Sequence, residues 1–146
     1  MKQLILTLIL VTLSAPVCLG EWLEVSKGES GNTFYVDFER IKEHGGYVYF
    51  WELEDNLSPA HWFVSSTSYK QADCNLFRFR WSTVSYYREP MGEGTPVKII
   101  DKPTLVPPLI PSLIPPLIPP QRDWHYPSDS SAEVVLKAVC DYVESK

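Results

Sequence analysis

The run Ala72-Asp73-Cys74-Asn75-Leu76-Phe77-Arg78-Phe79-Arg80-Trp81-Ser82-Thr83-Val84-Ser85-Tyr86-Tyr87 limits the choice of fold more than any other stretch. It reads as a long strand with a cysteine at its start. Phe77, Phe79 and Trp81 share one face, and Arg78 and Arg80 share the other. Such alternation belongs to an antiparallel sheet with one face covered and one wet. What covers the apolar face depends on where Cys74 finds its partner.

The N-terminus narrows that choice. Lys2 is followed by the apolar stretch Leu4 to Leu13 and then by Ser14-Ala15-Pro16-Val17-Cys18-Leu19-Gly20. This is a secretory signal peptide pattern. It is too short for a membrane span of roughly 20 residues. Cleavage after Gly20 puts Gly20 at −1 and Cys18 at −3, both small. The alternatives are an uncleaved anchor and lipidation at Cys18, although Ala15-Pro16-Val17 lacks the small residue usual before a lipidated cysteine. On the cleaved reading, residues 21–146 form one exported domain with no transmembrane segment. Cys74 and Cys140 are then the two cysteines left, and in an exported chain they most simply form one disulfide. Closing so long a loop is worth roughly 4 kcal/mol on a chain-entropy estimate. No CxxC spacing is present, so zinc and thioredoxin-like readings fall away. Removing residues 1–20 takes away Lys2 and no acid, moving the formal net charge from −5 to −6. General affinity for nucleic acid or anionic lipid is disfavoured by that balance. The hydrophobic fraction is 45%, enough for a core and too much for a disordered chain.

Along the domain, Glu21 to Val25 reads as a first strand and Ser26 to Asn32 as a turn. Thr33 to Phe38 is a second strand, Glu39 to His44 a polar turn ended by Gly45-Gly46. Tyr47 to Glu54 is the strongest strand signal, with Val48, Phe50 and Glu52 on one side and Tyr47, Tyr49, Trp51 and Leu53 on the other. The aromatic side is read as core in preference to contact surface. His61 to Tyr69 is a fourth strand, Ala72 to Tyr87 a fifth and Val97 to Ile100 a short sixth. The stretch 103–120 is low complexity, built on a Leu-Ile-Pro repeat. Its prolines forbid helix and central strand, and it reads as a loop insertion. Trp124 and Tyr126 then anchor the chain. Ser130 and Glu133 match a capping box ahead of a helix. Ala132, Val135, Leu136, Val139, Cys140 and Val143 make one apolar face of it. The expected fold is α+β: an antiparallel sheet of five or six strands, with a C-terminal helix packed on one face and tied by the disulfide.

No catalytic constellation stands out, and no cofactor or metal is implied. His44, His61 and His125 sit on separate segments without HxH or HExxH spacing. Glu52, Glu54 and Asp55 form a carboxylate cluster at a strand end, most simply a solvated one. A small hydrolase would have to use Glu52, Glu54, His61 or His125. No GxSxG elbow is present. Met91-Gly92-Glu93-Gly94-Thr95-Pro96 lacks the lysine and helix of a phosphate loop. Lys70, Arg78, Arg80 and Arg88 form a candidate basic contact face for an acidic glycan or protein surface. The plainer reading is a solubilising face.

The assembled parts resemble the surface-adhesin protein E family of small exported bacterial proteins. The resemblance rests on Trp22, Tyr35-Val36-Asp37, Trp51 and Tyr69-Lys70-Gln71-Ala72-Asp73-Cys74. It continues through Met91 to Val97, Trp124-His125-Tyr126-Pro127 and Glu133 to Cys140. The proline repeat departs from it. The resemblance implies a sheet with a C-terminal helix held by Cys74–Cys140. It also implies a non-enzymatic envelope protein whose relatives can bind extracellular-matrix or serum proteins and can form homodimers. A periplasmic structural or stress-related role is the alternative.

Overall fold

The computed structural model describes residues 20–56, 62–101, 124–128 and 130–146. The expected leader apart from Gly20, the proline-rich stretch 103–120, His61 and the Ser130 side chain lie outside the described residues. The strands are β1 (Leu23–Lys27), β2 (Thr33–Val36), β3 (Lys42–His44), β4 (Tyr47–Asp55), β5 (Ser65–Asp73), β6 (Arg78–Tyr87) and β7 (Lys98–Asp101). They form one sheet in the order β1-β2-β4-β5-β6-β7, with β3 also paired to β4. Every pairing is antiparallel. Among the described residues one α-helix, α1 (Ser130–Glu144), follows. The expected α+β class, a sheet with one C-terminal helix on it, is therefore what the chain adopts.

Three local expectations need correction. Glu39 to His44 is not merely a turn. The Asp37 carboxylate accepts the Arg40 N–H at 3.2 Å, closing a 3-10 turn at Phe38–Arg40. The chain then runs extended as β3. Gly45 and Gly46, both at positive φ, make the two-residue hairpin loop that returns it into β4.

The second correction concerns the run that limits the fold. Ala72 and Asp73 end β5, Cys74 to Phe77 turn, and a new strand begins at Arg78. Asp73 Oδ1 accepts the Leu76 N–H at 3.1 Å, an acidic side chain folding the backbone back on itself. Phe77 takes a left-handed conformation at φ 48, which an aromatic residue rarely adopts. Cys74 thus sits in a hairpin turn and not at a strand head. The fourth strand correspondingly runs from Ser65 to Asp73 rather than from His61 to Tyr69.

The third correction is to the core. Val36, Val48, Phe50, Ala72 and Phe79 are buried on the face that meets α1, where Val135, Leu136, Val139 and Cys140 are buried against them. Each fully buried aliphatic or aromatic side chain contributes roughly 1.5–3 kcal/mol. Tyr47, Tyr49 and Trp51 lie on the opposite face and are only half-buried. Leu53, next along that side, is fully buried because Gly92 passes over it: a Cβ at Gly92 would lie 3.3 Å from Leu53 Cδ1.

Helix α1 lies along β1, β2 and β4. Its apolar spacing is as expected, and Cys140 is bonded to Cys74, with Cα atoms 5.7 Å apart and a sequence separation of 66. The bond ties the β5–β6 turn to the helix. The segment after the proline-rich stretch also docks by backbone. His125 donates to the Phe79 carbonyl at 2.7 Å and accepts from the Phe79 N–H at 2.9 Å. It pairs with the N-terminal half of β6, whereas β7 pairs with the C-terminal half. Tyr126, expected as an anchor, is instead exposed.

Replacing Cys74 and Cys140 together by alanine is expected to lower folding stability by about 4 kcal/mol, the loop-closure value for a bridge of this length. Urea denaturation of the oxidised parent and the double variant measures it. An unchanged midpoint would show that core packing alone holds the helix in place.

Candidate functional site

The sheet carries a different site on each face. Away from α1, β4 presents Tyr47, Tyr49 and Trp51, β5 presents Tyr69 and Gln71, and β6 presents Arg78 and Arg80. Their rings form a ladder. Trp51 and Tyr69 have centroids 4.9 Å apart, and Tyr49 and Tyr69 stack at 6.2 Å. Tyr47 stacks on Trp124 at 5.6 Å. The Arg78 and Arg80 guanidinium carbons lie 4.6 and 4.9 Å from the Trp124 ring centroid. At the far end, the Arg40 guanidinium carbon is 5.4 Å from the Trp22 ring and 5.5 Å from the Trp51 ring.

Side-chain partners fix these cations in place. Arg78 Nη2 is 3.0 Å from Asp73 Oδ2, Arg80 Nε donates to Gln71 Oε1 at 2.8 Å, and Arg40 is paired with the buried carboxylate of Asp37. A guanidinium over an aromatic face adds about 0.5–1 kcal/mol at such sites. Burial pushes the Tyr69 phenol above its ordinary 10.0, and neighbouring Tyr49 adds to the shift.

The expected basic face of four residues does not exist as drawn. Arg78 and Arg80 share a face, as their alternation required. Lys70 does not join them. It is opposite Trp81 in the β5–β6 pairing and points to the helix side, where it is 6% exposed. Arg88 is exposed beyond the other end of β6. At roughly 3.3 Å per residue it lies about 30 Å from Arg78. Sequence reading missed Arg40 and Trp22 as members of the face. No local signal links them to Trp51, because the 3-10 turn that brings Arg40 round depends on the Asp37 cap.

The helix-side face holds a cavity of about 620 Å³. Its origin is a run of small side chains. Helix α1 covers the β1, β2 and β4 side of the sheet, whereas β5 places the small Ser66 and Ser68, beyond Lys70, between the taller residues of β4 and β6. Phe79, Trp81, Val84 and Tyr86 form one wall, and Ala132 and Val135 of the helix another. Glu52, Glu54, Lys70 and His125 also line it. Glu52, Glu54 and one candidate histidine are therefore brought together, whereas Asp55 lies on the other face of β4, where it accepts from the Met91 N–H. Lys70 Nζ lies 2.6 Å from Glu52 Oε1 in a buried ion pair. Glu54 Oε1 accepts from Asn32 Nδ2 at 2.8 Å. The His125 ring packs on Trp81 with centroids 4.3 Å apart. Among the described residues no three His, Cys, Asp or Glu side chains group to hold a metal, and no helix is long and apolar enough to cross a membrane.

A single antiparallel sheet, a C-terminal helix bonded to its central hairpin and a cation–aromatic ladder on the other face define a small disulfide-tied α+β domain. The chain belongs to the surface-adhesin protein E family, whose model matches residues 22–141. In three dimensions it is similar to Haemophilus influenzae protein E in its crystal form II, with a TM-score of 0.50 and 15% identity. The match covers 82% of this chain and 87% of that one. At that identity the likeness is one of fold. None of the curated proteins matches the sequence.

Two stability measurements probe the two faces. Lys70→Met leaves Glu52 charged and buried without its ion-pair partner, and is expected to cost about 3–5 kcal/mol. The double variant Glu52→Met/Lys70→Met is expected to recover most of that loss. Urea midpoints of the three proteins decide it, and equal costs for the single and double variants would sink the assignment. On the other face, the raised Tyr69 pKa means that the unfolded chain gives up this proton first as pH rises. Stability is then held below pH 10.0 and lost as pH climbs through the folded value. Thermal melts across that range should fall less steeply for Tyr69→Phe.

Proposed function

We propose that this chain is an exported, non-enzymatic surface protein that binds a host or envelope protein through the face carrying Arg78, Arg80 and Trp124. Residues 1–20 direct export and are removed, and 103–120 is an insertion in the mature domain. The observation that carries the reading is the ladder of half-buried rings and fixed guanidiniums. Trp, Tyr and Arg are the residues in which binding energy concentrates at protein interfaces. Here they are held by neighbours before any partner arrives, so little rotamer freedom is lost on docking. Family membership supports the same reading.

The formal net charge, −5 for the whole chain and −6 once Lys2 is removed with the leader, makes local charge decisive. An acidic partner is repelled by most of this surface and attracted where Arg78 and Arg80 emerge, which fixes orientation more than affinity. The class of partner this suits is an acidic protein segment, such as one on an extracellular-matrix or serum protein.

A hydrolase reading would rest on the convergence of Glu52, Glu54 and His125 in one cavity. It is the weaker reading, because Lys70 is paired with Glu52, Asn32 donates to Glu54, and His125 is packed on an indole. A general base must instead reach a substrate proton.

Protease shaving of intact cells, followed by capture of the mature protein on immobilised matrix and serum proteins, tests the proposal. Surface cleavage is expected, with capture that weakens as salt rises. Trp124→Ala and Arg80→Glu should each reduce capture about tenfold, near 1.4 kcal/mol. No cleavage on intact cells, or capture indifferent to both substitutions, would overturn it.

A further inference from the structure

We infer that the buried carboxylate of Asp37 is the receptor for the mature protein's own N-terminus. Removal of residues 1–20 frees an α-ammonium on Glu21, and this ammonium seats on Asp37 and fastens the edge of the sheet. The inference rests on the cleavage after Gly20 proposed above.

Sheet register brings the two segments together. Leu23 pairs with Val36, so the chain that precedes β1 runs back beside the residues that follow β2. Trp22 is held there, with the Arg40 guanidinium carbon 5.4 Å from its ring. The backbone at Gly20 then closes on Asp37. A Cβ built at position 20 would overlap Asp37 Oδ2 and stand 2.8 Å from Arg40 Nε. Only a residue without a side chain comes this close to a carboxylate.

Asp37 has acceptor capacity to spare. It is fully buried, and an ionised carboxylate in such a place needs partners. Both of its side-chain hydrogen bonds among the described residues come from Arg40: Oδ1 accepts the backbone N–H and Oδ2 accepts from Nε. A carboxylate has about four acceptor positions. Oδ2 lies where a side chain of residue 20 would be, against a Cα that offers no N–H.

Cleavage changes what stands there. The Glu21 nitrogen is two bonds from the Gly20 Cα, roughly 2.4 Å away. In the uncleaved chain that nitrogen is a neutral amide. Once cleaved, it carries three N–H donors and a positive charge, and Gly20 no longer fills the space in front of Asp37. A charge-assisted hydrogen bond is about twice as strong as a neutral one. Residues 20–23 and 37–40 carry the acids Glu21, Asp37 and Glu39 against the single base Arg40, so local charge favours a second cation. Glu21 is exposed, which leaves its carboxylate in water while its nitrogen turns inward. Among the described strands β1 pairs only with β2, and this edge gains its last anchor when the leader departs.

N-terminal sequencing of the exported protein, followed by urea denaturation of the mature chain with its α-amine free or acetylated, tests the inference. The terminus is expected at Glu21, and a terminus elsewhere would overturn the cleavage on which the inference rests. For chains that begin at Glu21, acetylation is expected to lower the folding equilibrium constant about tenfold. In Asp37→Asn the same acetylation should change it less than about twofold, a difference that mere packing of the terminus would not produce. Should Asp37→Asn fail to fold, the rate of α-amine acylation decides. That rate should be about tenfold slower in the native parent than in the urea-unfolded chain. Acetylation without cost, an equal cost in Asp37→Asn, or an amine that reacts as fast folded as unfolded would overturn the inference alone and leave the cleavage reading standing.

Discussion

The bond between Cys74 and Cys140 is the constraint on which the rest of this domain turns. It joins the β5–β6 hairpin turn to the buried face of the only helix among the described residues. Among the described residues, a helix held at that point makes its main contacts with β1, β2 and β4, toward one side of the face. The cavity lies toward the other side. The other face keeps its rings and the Arg78 and Arg80 guanidiniums half-buried. One covalent tie thus separates a packed region, a hollow and a face of rings and guanidiniums on a single sheet.

Much of this was legible from the residues. Alternation revealed the sheet, and the 3.6-residue spacing of Val135, Leu136, Val139 and Cys140 revealed which side of the helix is buried. Arg78 and Arg80 share a face because they are two residues apart on one strand. The failures have physical causes of their own. Cys74 looked like the head of a strand because apolar residues continue from Leu76 to Trp81. The turn depends on Asp73 folding back to the Leu76 amide, with Phe77 at positive φ. Asp73 and Asn75 were the available turn signal, and the aromatic run outweighed them.

Lys70 illustrates a different limit. A lysine in an alternating strand is read as wet, and burying it alone costs too much to expect. Its burial becomes tolerable only through Glu52, which lies on the neighbouring strand 18 positions earlier. Pairwise compensation across strands depends on register, and register is not visible in one strand's pattern. The irregularity in β6 matters in the same way. Tyr69 faces Thr83 and Lys70 faces Trp81, so Ser82 is an extra residue, and the side chains beyond it change sides. Without that bulge Val84 and Tyr86 would line the ladder, and the cavity would lose the wall that they form.

The aromatic residues raise the same question at the level of function. Tyr47, Tyr49 and Trp51 looked like core because burying large rings is the commonest use of them. Here Val48 and Phe50, smaller in sum, suffice for the layer under α1, since the helix brings its own aliphatic residues to meet them. The rings on the other side are left to stack or tilt against one another and to lie beneath cations. Such a face meets the solvation needs of a surface while keeping apolar area close at hand. A fully polar face would have been simpler for solubility, and a fully apolar one would have joined a second layer. Such a mixture still has free energy to gain from a partner, and this is the physical condition for a binding surface.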